Sequence, residues 1–184
     1  QASLKLGHSH PDLRTPPLRA TVHAGEDFTR LVEGIRRMHE SVEFGLLRMG
    51  DRIGHGVALG IDPARWMNSH LSCAQTAEDR LDDLLWELTR YSNQSLDCSA
   101  SRVAFVQGEV ARLSRHMYGD SPPTTEQLLA LRGLLHQPSA LERVGYPFPS
   151  SHDPTDEIDK LLARYLTDGS VYARGQQIVT VSGS

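Results

Sequence analysis

Cysteine is scarce in this chain: its 184 residues include two, Cys73 and Cys98. Two thiols cannot make a disulfide framework, and they are too few and too far apart for a cysteine-rich zinc site. A reducing, cytoplasmic location is therefore expected. Long hydrophobic runs are missing as well, so no membrane-spanning segment is expected. The opening residues Gln1-Ala2-Ser3-Leu4-Lys5 lack the apolar core of a signal peptide. They also lack an initiating Met, which suggests a piece of something longer. No sign of charge dominates, since 19 basic residues stand against 23 acidic ones, for a net charge of −4. That balance gives no general pull toward nucleic acid or an anionic membrane. Internal repeats and low-complexity tracts are absent. What remains is an ordinary composition, 39% hydrophobic and 23% charged, enough for one globular domain with its own core. Nine histidines are a generous number and direct attention to themselves.

Residues 1–18 read as loop, punctuated by Gly7, Pro11, Pro16 and Pro17. Residues 18–23 read as a short buried strand ending on His23. Gly25-Glu26-Asp27 turns the chain, with Asp27 placed to cap the next helix. Phe28, Leu31, Val32, Ile35, Met38 and Val42 then recur at three and four, the signature of an amphipathic helix. Arg52 to Gly56 forms a second strand running into a glycine turn. A strand, a helix and a strand in this span make a βαβ unit with parallel strands. Helices are expected over 64–70, 78–91, 101–118, 124–136 and 155–166, with a capping box formed by Thr124 and Gln127. The proline-rich stretch 145–154 reads as a connector, and 177–181 as the beginning of a strand.

Each strand of the βαβ unit carries a histidine at its C-terminal end, where parallel α/β folds place their chemistry. His23, Glu26 and His55 therefore stand out. Imidazoles can bind a metal through neutral nitrogen, and a nearby carboxyl group can shuttle protons. Such a set suits hydrolysis. A single histidine ending a strand is commonly a hydrogen-bonded structural residue. The second histidine and the glutamate bring the metal reading level with that one.

Thr21-Val22-His23-Ala24-Gly25-Glu26, with Asp51-Arg52-Ile53-Gly54-His55-Gly56 after it, resembles the paired HAGE and RIGHG signatures of adenosine deaminases. These are zinc hydrolases on a (β/α)8 barrel. The resemblance implies that His23 is a ligand of Zn2+ and that Glu26 donates a proton to purine N1. It further implies that His55 orients or deprotonates the zinc-bound water that attacks C6. To act as an acid Glu26 must hold a proton, which a partly buried, ligand-covered site favours.

The family also uses an early His-x-His pair for zinc and a late Asp-Asp pair for zinc and purine N7. His8-Ser9-His10 has the right letters but lies 13 residues before His23, too close, and reads as a coincidental loop pair. Asp153-Pro154-Thr155-Asp156 lacks both adjacent aspartates and a preceding strand. The remaining zinc ligands are thus expected outside this chain. A complete barrel takes about 250 residues. The expected architecture is α/β, a part of a TIM-type barrel of two to three strands with a large α-helical insertion. Residues 1–63 form the partial barrel, 64–176 the insertion and 177–184 the start of the next barrel strand.

Within the family, the segments 23–28, 60–63, 79–84 and 164–168 are similar to the large deaminase subunit of the RADAR anti-phage system. That resemblance implies a homo-oligomer, an ATPase partner, and adenine nucleotides or adenosines in RNA as substrates, converted to inosine forms. The insertion would serve either subunit packing or cover for the barrel. Trp66 and Trp86 read as packing residues, Lys5, Arg14 and Arg19 as solvated charges, and Arg36-Arg37 as surface charge. Both cysteines read as ordinary thiols. Two other readings stand beside the deaminase: a catalytically incomplete scaffold that assembles through its helices, and a metal-dependent hydrolase of a different substrate.

Overall fold

β1 (Thr21–Ala24) and β2 (Arg52–His55) run parallel, with Thr21 opposite Arg52 and Ala24 opposite His55. These strands belong to a computed structural model that describes residues 18–93, 97–137, 139–140 and 156–182. The loop entering β2 is tied to the base of β1 by Asp51, whose carboxylate accepts from the backbone N–H of Arg48 at 2.8 Å and of Ala20 at 2.9 Å. Those two bonds hold the Asp51 carboxyl below its ordinary pKa.

The crossover is α1 (Leu31–Glu43), and Asp27 does not cap it. Asp27 lies three residues before the N-cap position, Arg30, and cannot reach the amides of the first turn. Glu33 ties down the entry from inside the helix, accepting from both the backbone N–H and the hydroxyl of Thr29 at 3.0 Å. Leu31, Ile35 and Met38 pack with Phe28 onto Val22, Ala24, Ile53 and Ala58. Val42, expected on that face, is exposed. A 3₁₀ turn (Val57–Gly60) closes the unit, with Ala58 N–H donating to the Gly25 carbonyl at 2.9 Å.

The larger core is helical. α2 (Pro63–Ser69), capped by Asp62, leads into β3 (Ser72–Thr76). Then come α3 (Ala77–Ser92), α4 (Ala100–Tyr118), α5 (Thr125–Leu135), α6 (Glu157–Thr167) and α7 (Gly169–Gly175). The expected stripe Leu81, Leu84, Leu85 and Leu88 of α3 is buried in one cluster with Val106, Val110 and Leu113 of α4, and with residues of α5, α6 and α7. Each such side chain contributes about 1.5–3 kcal/mol of burial. The Thr124–Gln127 capping box is present, with both reciprocal bonds formed.

Between the two cores runs a polar seam. Arg36, expected at the surface, is 4% exposed and donates from Nε to Asp83 Oδ1 at 2.8 Å. It also pairs with Glu40 at 3.1 Å and Asp82 at 3.6 Å, and Glu40 in turn pairs with Arg132 of α5. Gln75 of β3 donates to Asp83 at 2.9 Å. Helix α1 is therefore covered on both sides, by apolar contacts toward the strands and by ion pairs toward α3. Burial opposes the charge on Arg36, but Asp83, Asp82 and Glu40 more than offset it and hold the guanidinium above its ordinary pKa.

Within the stretch 64–176 read as a helical insertion, the break between the helices expected over 64–70 and 78–91 holds a strand, β3. The tail strand is present as β4 (Ile178–Ser182), and its partner is β3, antiparallel, with Cys73 opposite Val181. It does not lie beside β2. Among the described residues there are two two-stranded sheets and no closed barrel, so the chain is a mixed α/β fold. No described helix is long and apolar enough to cross a membrane.

Candidate functional site

His23, Glu26 and His55 come together at the C-terminal ends of β1 and β2. His23 faces Gly54 across the ladder, and the glycine is what lets the imidazole lie over the neighbouring strand. A Cβ built on Gly54 would sit 2.7 Å from His23 Cδ2 and 3.1 Å from Nε2. His55 is the one non-glycine residue with positive φ among the described residues, at +64°. Gly56 comes next at +57°, and its N–H donates to the carbonyl of Gly54 at 2.9 Å and of Ala24 at 3.2 Å. A three-residue turn of this hand is uncommon and strained for a residue with a Cβ. The ladder bond to Ala24 holds it, and the strain sits on one member of the His23, Glu26 and His55 cluster.

Glu26 lies between the two imidazoles. Its Oε1 is 3.6 Å from His23 Nδ1, and its Oε2 is 3.2 Å from His55 Nε2. The two rings meet edge to face, with centroids 4.7 Å apart and planes at 74°. One donor atom from each of the three residues lies within 4.8 Å of the others. Two imidazoles and a carboxylate form a donor set that a divalent zinc ion accepts. The side chains are 63%, 29% and 49% exposed for His23, Glu26 and His55, so ions and small solutes can reach them.

Gly54→Ala tests this packing directly. The new methyl group displaces an exposed ring that can swing away, so the melting temperature should hardly change. On the zinc reading proposed below, the variant should bind zinc about 10–100-fold more weakly in a titration, because the imidazole that would hold the ion is displaced. Equal affinity would show that the position of His23 over Gly54 is immaterial.

A cavity of about 610 Å³ opens beside His23 and Glu26 and is walled by Phe44, Leu135, His136 and Gln137 among others. His136 stacks on Phe44, with centroids 3.7 Å apart and planes at 8°, and burial lowers its pKa. These wall residues could not be found from the sequence. Leu135, His136 and Gln137 reach the site from the end of α5, far along the chain from β1, and no local pattern marks them.

The other candidate positions lie elsewhere. Arg19 donates to the Met49 carbonyl at 2.6 Å, and Asp156 caps α6 through Ile158 N–H at 3.1 Å. Trp86 is buried as expected, and Trp66 stacks on His70 at 3.8 Å. Lys5, His8, His10, Arg14, Asp153 and the connector 145–154 fall outside the described residues.

Fold and site together define a mixed α/β protein with a two-histidine, one-glutamate cluster at the ends of adjacent parallel strands. A scan of protein-family models and a search of curated proteins each find no match to the chain.

Proposed function

We propose that His23, Glu26 and His55 are part of the active site of a zinc-dependent hydrolase that deaminates adenosine or an adenine nucleotide. The observation that carries this reading is their convergence at the ends of two parallel strands, with Glu26 touching both imidazoles. His23 would hold the zinc, whose chemistry when bound is to make water a stronger acid and to polarise the reacting centre. Glu26 donates a proton to purine N1, which draws electron density away from C6. His55 accepts a proton from the attacking water and keeps that water on one face of the ring. Water adds at C6, ammonia leaves, and the product carries a carbonyl where the amine was.

On the same reading the β1–α1–β2 unit is a portion of a (β/α)8 barrel, and the helical body is an insertion that supports a homo-oligomer. Adenosine in RNA is a further substrate on this reading, an ATPase a partner, and anti-phage defence the setting. The exposed cluster and the dominance of the helical core favour a second reading, an assembly protein with an incomplete site.

Ammonia release separates the two. The protein at its native length is assayed with adenosine, ATP and an adenosine-containing RNA, before and after zinc is stripped with a chelator. The expected result is turnover of at least one substrate, abolished by the chelator and restored by added zinc. Zinc-loaded protein that releases ammonia from none of them overturns the deaminase reading.

A further inference from the structure

A second cavity, of about 410 Å³, shares no lining residue with the one beside His23. Its walls are chiefly apolar and aromatic, including Val32, Ile35, Trp66, Trp86 and Tyr91, and Arg30 opens onto it. Cys73 and Arg102 also line it.

The charges around this cavity do not balance. Arg102 is held by Glu87, through Nε at 2.6 Å and Nη2 at 3.0 Å, and Tyr91 hydroxyl donates to the same carboxylate. Glu87 is thereby committed. Asp83 is committed to Arg36 and Gln75. Arg80, 1% exposed, lies within electrostatic reach of Arg30, Arg102, Asp83 and Glu87. Its Nε and Nη1 are buried without a protein acceptor, and so is Nη1 of Arg30. Buried guanidinium N–H groups without acceptors are costly, and two like charges close together add to that cost.

The protein does not relieve the imbalance by itself. Burial and the neighbouring Arg30 pull Arg80 down to about 10, which leaves it charged at neutral pH. Cys73 stands near the same two arginines, but burial pushes its thiol above the ordinary value, so no thiolate neutralises them. An anion in the cavity would accept a charge-assisted hydrogen bond from Arg30 and would offset the charge of Arg80, which acts on Arg30 electrostatically from outside the cavity wall. The volume is in the range of small-molecule sites and accommodates one ring with a charged head.

We propose that this cavity binds an aromatic oxyanion, its head held by Arg30, whose Nη1 is buried there without an acceptor, and its ring packed among Trp66, Trp86 and Tyr91. The site is independent of the deaminase reading. Its head group is a carboxylate or a phosphate monoester, either of which accepts hydrogen bonds from a guanidinium donor.

Trp66 and Trp86 are the only two tryptophans of the chain, and both line the cavity, so intrinsic fluorescence reports on it directly. The full chain is titrated with phenyl phosphate, phenylacetate and, as the neutral control, benzyl alcohol. A saturable change with at least one anion is expected, with benzyl alcohol at least about tenfold weaker; the tighter anion identifies the head group. Arg30→Met should weaken the anion on the order of 10- to 100-fold, and Arg80→Met, which removes only a nearby charge, by a smaller factor. Arg30→Met keeps the test open should Arg80→Met fail to fold. The proposal is overturned if neither anion binds, if benzyl alcohol binds equally well, or if Arg30→Met leaves the affinity unchanged.

Discussion

Glu26→Gln should lower the rate of ammonia release by about 10²–10⁴-fold, the usual contribution of a positioned acid or base. Glutamine keeps the length and shape of the side chain and can still touch both imidazoles. It cannot give a proton to purine N1 or take one back. Because Glu26 is 29% exposed and lies outside both cores, the melting temperature and circular dichroism should stay close to those of the parent. Zinc content should change little, because the role proposed for Glu26 is proton transfer and His23 is the residue proposed to hold the ion. Turnover within a factor of two of the parent would remove Glu26 from the mechanism, and with it the purine-specific part of the reading.

Asp83→Leu should destabilise the fold by about 3–5 kcal/mol, measured by urea unfolding. Both members of the Arg36–Asp83 pair are nearly inaccessible, at 4% and 0% exposed. Removing the carboxylate strands a buried guanidinium that Glu40 and Asp82 only partly compensate. Arg36→Met alone strands the carboxylate instead and should lose a similar amount. The double variant, Arg36→Met with Asp83→Leu, should recover most of the loss, because two apolar side chains of similar volume can replace a buried ion pair. That recovery would appear as a large coupling energy in the double-mutant cycle. If Asp83→Leu lies within about 1 kcal/mol of the parent, the pair is solvated and the seam is not a buried feature.

How much of the molecule is legible in the sequence depends on what each signal measures. Apolar spacing finds α1 and α3, because the faces it detects are the ones that dominate their packing. A short strand ending on a histidine, repeated after one helix, is enough to locate β1, β2 and the two imidazoles. The Thr124–Gln127 box is legible because a cap is a local event. β3 is not: Ser72-Cys73-Ala74-Gln75-Thr76 has little strand character, and it is extended because β4 pairs with it from far along the chain. α7 begins at Gly169, directly behind a helix, where Asp168 ends one helix and caps the next. Arg36 is misplaced for a related reason. Periodicity separates apolar from polar positions, and it cannot tell a solvated arginine from one whose carboxylate partners arrive on another helix. The His136 wall of the larger cavity shares that blindness, since its place is set by the packing of α5 and by nothing nearby in the chain.

The seam between α1 and α3 also has a geometric consequence. Purely apolar surfaces can slip past one another by a fraction of a turn at little cost, whereas a guanidinium fork accepts carboxylates only at fixed angles and distances. Arg36 on Asp83, with Glu40 on Arg132, therefore works as an index pin between α1 and the helical body. Helix α1 is the segment that delivers the chain from β1 to β2. The rotational setting of α1 against the helical body is thereby fixed by charge geometry, while its setting against the strands is fixed by apolar packing.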